Sequence, residues 1–435
     1  MFVPILILFI LCLSNIFLNL GPLMQTINFY GDTQTYMGWY GSLKQGIIPY
    51  LGHRTPVYPL LIALCEMFLD WNFILVLQSI YMAIAACIFF YIVRYFLESI
   101  VLSFMATLLI FSDYSLLQWN NLILTESMSL STIIFWTYLQ ISYPQMKFKN
   151  SKAVMIFSDL FLVFLRPAYC LLPIFWSVTE AVLFRKNIKT GIIRSTVIVM
   201  ALGSYMSLNY LQTERFQLSE IGPMSRLGNY LRINEPSHEL CEKIACTDAT
   251  KKLVQILDVT RYDNDPWAVI KRLQLAFPER DMSSLLDDLY RDFKSVSFLK
   301  YAKHSASKAS ILLKEHWIYY GDGYLHKKFQ FLTTYSDKWK TTIADYGNMI
   351  LIFMFLCALG IYLLSFKIKL PEDLVRSRVI IFTVIIYLCC INLTGTYGEW
   401  FRLIVPIRPF VMLLVLAVPF EMLRIRKLFK QTVCG

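Results

Sequence analysis

The residues best able to do chemistry in this sequence are a few acids and arginines set among apolar segments. Asp32 sits in Gly31-Asp32-Thr33-Gln34-Thr35-Tyr36, and His53-Arg54-Thr55-Pro56-Val57-Tyr58-Pro59 follows in the same polar stretch. Further along come Asp113, Glu126 within Thr125-Glu126-Ser127, Arg166 before Pro167, and Glu399-Trp400-Phe401-Arg402 ahead of Pro406 and Arg408. A carboxylate within reach of a hydroxyl is a general base. A guanidinium matches phosphate oxygens with parallel N–H donors and steadies negative charge as it develops. Gathered at one rim, such groups would hold an anion while a hydroxyl is deprotonated. Each also has a plainer reading. Asp32 followed by Thr-Gln-Thr-Tyr-Met is a good helix N-cap context. Arg54, Arg402 and Arg408 could snorkel to a membrane interface, and Glu126 could pair with Arg166 for structure alone. Asp159 and Glu180, deeper in apolar runs, read as packed hydrogen-bonding groups.

What must position these residues is a set of membrane helices. Hydrophobic residues fill 57% of the 435 positions and charged residues only 16%, with a mean hydropathy of +0.52. A soluble chain carries about a quarter charged residues, so the balance argues against a cytosolic enzyme. Residues 2–20 are an uncharged apolar run with no basic flank and no small-x-small cleavage site, which reads as a retained first span. Further spans are expected at 71–93 and near 99–111, 127–143, 153–165, 168–184, 191–211, 347–366, 379–395 and 403–420, ten in all. Several fall short of the ~20 residues of a perpendicular crossing. Residues 57–69 read as an interfacial or re-entrant lead-in to the second span.

The net charge of +11 is a topology signal. Sixteen of the 41 basic residues lie in five short clusters (Arg94; 147–152; 185–194; 367–378; 424–430) that contain or adjoin four acids, Glu98, Glu372, Asp373 and Glu421. Block 212–345, by contrast, sets twenty basic residues against eighteen acidic ones. With the N-terminus inside, all five clusters fall on the cytoplasmic side, as the positive-inside bias requires, and no nucleic-acid partner is implied. The same reasoning makes 153–184 a hairpin turning at Arg166-Pro167, because proline disfavours helix in the residue before it. The expected fold is all-α and polytopic. It comprises a transmembrane module 1–211 with a first outer loop 21–56, a small, mainly helical extracytoplasmic domain 212–345, and C-terminal helices with a basic tail, 346–435.

Within 212–345, stretches 249–260, 267–276, 282–294 and 298–317 have helical apolar spacing. His238, His304, His316 and His326 read as ordinary residues of that domain. Cys241 and Cys246 form a local disulfide or remain two thiols. No Cys/His metal spacing occurs, so no metal site or cofactor is expected, with a divalent cation left open. The block holds no Asn-x-Ser/Thr site, which favours a bacterial plasma membrane.

Several of these motifs together resemble a known family. Tyr30-Gly31-Asp32-x-x-x-Tyr36, Leu43-x-x-Gly46 and Arg54-x-Pro56-x-Tyr58-Pro59-Leu60 resemble the first outer loop of GT-C glycosyltransferases. The similarity is to the bacterial branch related to protein mannosyltransferases and aminoarabinose transferases. Thr125-Glu126-Ser127 looks like that family's acidic motif, Leu165-Arg166-Pro167 like its Arg-Pro turn, and Glu399-x-x-Arg402-x-x-x-Pro406 like the motif before its last helix. Two departures are His53-Arg54-Thr55-Pro56-Val57, where relatives usually have Arg-Pro-Pro-Gly, and Trp400-Phe401, where an Arg-Tyr pair is common. The resemblance implies inverting transfer of a sugar from a polyprenyl-phosphate donor to a glycan, lipid or protein acceptor at the outer face of the bilayer. Asp32 would be the base, with Tyr36, His53, Arg54, Tyr58, Glu126, Arg166, Glu399 and Arg402 around the substrates. A polymerase or ligase of lipid-linked glycans, or a flippase, is the alternative.

Overall fold

The structure, a computed structural model, describes residues 2–20, 33–47, 49, 51, 54–113, 116, 118–146, 150–184, 188–219, 247–259, 266–280, 282–293, 359–360, 372–395 and 405–434. Among these the chain forms α-helices and short 3₁₀ turns, with no extended strand. Phe73–Leu97, Pro167–Phe184, Ile188–Thr213 and Glu372–Ile391 are long and apolar enough to cross a bilayer. The protein is an all-α membrane protein. The span expected at 347–366 falls almost wholly outside the described residues, as do Cys241 and Cys246.

The chain divides into two compact units. The first is built from α1 (Phe2–Leu20), α2 (Thr33–Lys44), α3 (Val57–Phe68), α4 (Phe73–Leu97), α5 (Ile100–Phe111), α6 (Thr125–Ser142), α7 (Ser151–Leu165), α8 (Leu172–Phe184) and α9 (Ile188–Thr213). Part of Glu372–Gly395 (up to Leu388) and the helix Arg408–Cys434 complete it. At its centre α6 packs along α4. Small residues permit this: Ser127, Ser131 and Thr132 on α6, and Ser79, Ala83 and Ala86 on α4, are buried, so the backbones approach closely. Its many hydroxyls make α6 too polar for a lipid-facing span, and the other helices enclose it. α3 has only 12 residues, about 18 Å, too short to cross ~30 Å of hydrocarbon. Leu60, Leu64, Met67 and Phe68 on one of its faces are exposed.

The chain reverses sharply at Arg166. α7 ends at Leu165, Arg166 is extended (φ −152°, ψ 128°), and Pro167 opens a single 3₁₀ turn before α8. The Tyr387 hydroxyl holds this turn, donating to the Ala168 carbonyl at 2.9 Å and accepting from the Leu171 N–H at 3.3 Å.

At the far end of α6, charges are buried inside the bundle. Arg194 donates to both oxygens of Asp159 (2.7 and 2.8 Å) and to Gln140 Oε1 (3.1 Å), while Trp136 Nε1 donates to Asp159 at 2.8 Å. Arg376 pairs with Glu180 and donates to the Gln140 carbonyl at 3.0 Å. Arg378 pairs with Glu421, which also accepts from Arg424 at 2.6 Å. Arg194, Arg376 and Arg378 are at most 2% exposed. Three arginines of the basic clusters are therefore neutralised within the protein and do not face lipid headgroups.

The second unit comprises Ser219–Leu312 and Cys389–Trp400. Its helices α10 (Asp248–Val259), α11 (Pro266–Ala276) and α12 (Met282–Phe293) follow the apolar spacing of the sequence within a residue or two. They bury Leu253, Ile270, Leu273, Leu285 and Leu289 between them. Asp292 ties the end of α12 to the start of α10, accepting from the Thr247 N–H at 2.8 Å and the Thr250 hydroxyl at 2.6 Å.

Candidate functional site

The candidate site forms at the end of α6 opposite that charged layer. Glu126 and Gln140 are fourteen positions apart on α6, about 21 Å along its axis. On the first-loop side, α2 turns Thr33, Tyr36 and Tyr40 inward, at spacings of three and four. Thr33 Oγ1 donates to the Ile123 carbonyl at 3.2 Å, and the Tyr36 hydroxyl reaches Thr125 Oγ1 at 3.4 Å. The helix closes in a Schellman motif: Ile47 N–H bonds Ser42 O (2.9 Å) and Gly46 N–H bonds Leu43 O (3.0 Å). Gly46 sits at φ +71°, the left-handed region that glycine adopts at little cost, which gives Leu43-x-x-Gly46 a physical reason. On the exposed flank, the hydrogen-bonded Glu66 carboxylate holds the Lys44 ammonium above its ordinary pKa, across a 2.8 Å pair.

Arg54 lies against this helix. Its Nε donates to Thr35 Oγ1 at 2.7 Å, and its guanidinium sits 4.6 Å from the centroid of the Tyr36 ring, cation–π geometry. Tyr36 in turn meets Tyr58 edge-on, with centroids 5.0 Å apart. Tyr58 is fully buried and donates to Gln78 Oε1 at 3.2 Å. The Gln78 amide donates to the carbonyls of Asn120 and Leu122, both at 2.9 Å, so the lead into α6 is fixed from α4.

Glu126 occupies the first turn of α6, where the helix dipole favours an acid. It pairs with Arg166 (Nη2 to Oε1, 3.2 Å), with the Glu126 side chain wholly buried and that of Arg166 14% exposed. The first loop, the start of α6 and the end of α7 thus meet at one place. Arg54, Tyr36 and Tyr58 are joined by ring contacts, Tyr36 reaches Thr125, and the next residue of α6, Glu126, pairs with Arg166. Asp32, His53, Glu399 and Arg402 fall outside the described residues. Thr33, next to Asp32 in sequence, is the anchored residue that opens α2. Asp113 and Arg408 are buried in the first unit.

Two contributors escape a sequence reading. Gln78 is an amide within a 25-residue apolar helix, and an amide there must find partners, which was the available signal. Tyr205 in α9 donates to backbone near Arg54, and nothing in the sequence separates it from the many other tyrosines of the chain. Among the described residues there is no group of three His, Cys, Asp or Glu that could hold a metal ion.

The arrangement brings one guanidinium stacked on a phenol and another paired to a buried carboxylate to the same end of the bundle. Such an end suits an anionic group whose charge is met by oriented N–H donors. Comparison with protein-family models and with curated proteins finds no match for this chain.

Proposed function

We propose that this protein is an inverting membrane glycosyltransferase that moves a sugar from a polyprenyl-phosphate donor to a glycan, lipid or protein acceptor. The observation that carries the reading is the convergence of Arg54, Tyr36, Tyr58, Glu126 and Arg166, from three separated segments, at one end of an all-α bundle. In the proposed reaction the acceptor hydroxyl attacks the anomeric carbon from the face opposite the phosphate. The anomeric C–O bond to phosphate breaks, and polyprenyl phosphate leaves with both bonding electrons. Asp32 takes the acceptor's proton. Arg54 and Arg166, with Arg402, steady the charge gathering on the phosphate, so no general acid is needed. Glu126 keeps the Arg166 fork oriented, and His53 and Glu399 border the sugar and acceptor. The ten-span topology belongs to the same proposal, with this end outward in a bacterial plasma membrane.

The test is direct. The purified full chain in detergent is incubated with a panel of polyprenyl-phosphate sugars and a membrane extract as acceptor source. One sugar of the panel should release polyprenyl phosphate in step with labelled sugar entering a larger product. Absence of release from every donor, by a chain that retains its fold, would remove the proposal.

A further inference from the structure

The loop that carries Arg54 is held from a distant helix. The hydroxyl of Tyr205, a buried residue of α9, lies 3.0 Å from the Leu51 carbonyl and 3.0 Å from the Arg54 carbonyl. One O–H has one proton, which the two carbonyls share. Seven positions on, and on the same helix face, Gln212 accepts from the Leu51 N–H at 3.0 Å and donates to the Pro49 carbonyl at 3.3 Å. The ring of Tyr205 rests edge-on against Phe164, with centroids 5.5 Å apart. Phe164 lies two positions before Arg166, in the last turn of α7. A single side chain therefore grips the backbone of one site arginine and the helix end that presents the other.

We propose that Tyr205 is the positioning residue of this site. Its hydroxyl fixes the backbone at Leu51 and Arg54 so that the Arg54 guanidinium stays over Tyr36, and its ring seats the end of α7 beneath Arg166. The role rests on the reading of Arg54 and Arg166 as the groups that hold the donor phosphate. It matters because a guanidinium acts through direction. Arg54 reaches Thr35 and Tyr36 from this backbone position, which Tyr205 holds from 151 positions away in the sequence.

The test reads Arg54 without a substrate. The intact chain in detergent is treated with phenylglyoxal, and modification of each arginine is followed by peptide mass spectrometry. Tyr205→Phe keeps the ring on Phe164 and removes only the donor. It should raise the rate at Arg54 about tenfold, the scale of one lost hydrogen bond. Arg291, 67% exposed in the second unit, should keep its rate, and Arg194, 1% exposed, should stay unreacted. Tyr205→Leu should add faster modification of Arg166. An unchanged Arg54 rate in both variants overturns the proposal, and so does an acceleration that includes Arg194, which would make Tyr205 a residue of the fold alone. Farnesyl phosphate should slow modification of Arg54 in the parent and do so more weakly in Tyr205→Phe. No protection in the parent, with Tyr205→Phe still accelerating Arg54, would remove the donor reading and leave the positioning role standing.

Discussion

Removing either partner of the Glu126–Arg166 pair should destabilise the bundle, and by unequal amounts. The pair is close (3.2 Å), but its two ends differ, the Glu126 side chain having no exposure and that of Arg166 having 14%. Arg166→Met takes the cation from a carboxylate that cannot reach water. Breaking a buried pair this way costs about 3–5 kcal/mol. Glu126→Gln keeps size and one acceptor, and the guanidinium it strands already touches solvent. Its cost is that of a charged hydrogen bond, about 1.5–3 kcal/mol. The double variant Glu126→Gln/Arg166→Met removes both charges of the pair and should fall within about 1 kcal/mol of the parent, because uncharged replacements of a buried pair are often neutral. The measurement is unfolding by sodium dodecyl sulfate titration in mixed micelles, followed by a thiol-reactive fluorophore at the buried Cys12 and Cys65. A greater cost for Glu126→Gln than for Arg166→Met, or a double variant that costs the sum of the two singles, would refute a buried ion pair with one wetter end.

Three further substitutions have outcomes set by local geometry. Asp159→Asn, in the charged layer at the opposite end, should cost about 3–5 kcal/mol in the same titration, because Arg194 and Trp136 both depend on that carboxylate. It should leave affinity for farnesyl phosphate unchanged. Gly46→Ala should cost about 1–2 kcal/mol, since an added Cβ meets no atom within 4 Å and the penalty is that of φ +71° alone. Gly38→Ala, within α2 and equally open, should instead stabilise by up to about 1 kcal/mol.

Much of the framework was legible because it follows from hydrocarbon length and backbone chemistry. Phe73–Leu97 and Ile188–Thr213 are apolar runs that can be satisfied only as membrane helices. The reversal at Arg166-Pro167 is written in the proline. Other features are not local. A count of lysines and arginines cannot distinguish an arginine that snorkels to headgroups from one paired inside the bundle. Arg194, Arg376 and Arg378 belong to the second kind, and their partners Asp159, Glu180 and Glu421 lie on other helices. α6 carries seven serines and threonines and gives a weak hydropathy signal, yet the six before its last turn are all buried. Of the candidate site, the residue types were legible in the motifs. The stacking of Arg54 on Tyr36, and the grip of Gln78 and Tyr205 on the surrounding backbone, depend on residues 18 to 151 positions apart, a separation at which no periodicity acts.

If, as proposed, a hydroxyl is deprotonated beside a bound phosphate, Asp32→Asn removes the group that takes its proton. The amide keeps the shape of the side chain and its capping ability, and it cannot accept a proton. The measurement is the rate of polyprenyl phosphate release from the active donor in the presence of acceptor, alongside farnesyl phosphate affinity, for parent and variant. Affinity should be unchanged and the rate lower by about 10²–10⁴-fold. A variant that binds and turns over like the parent would contradict the proposal.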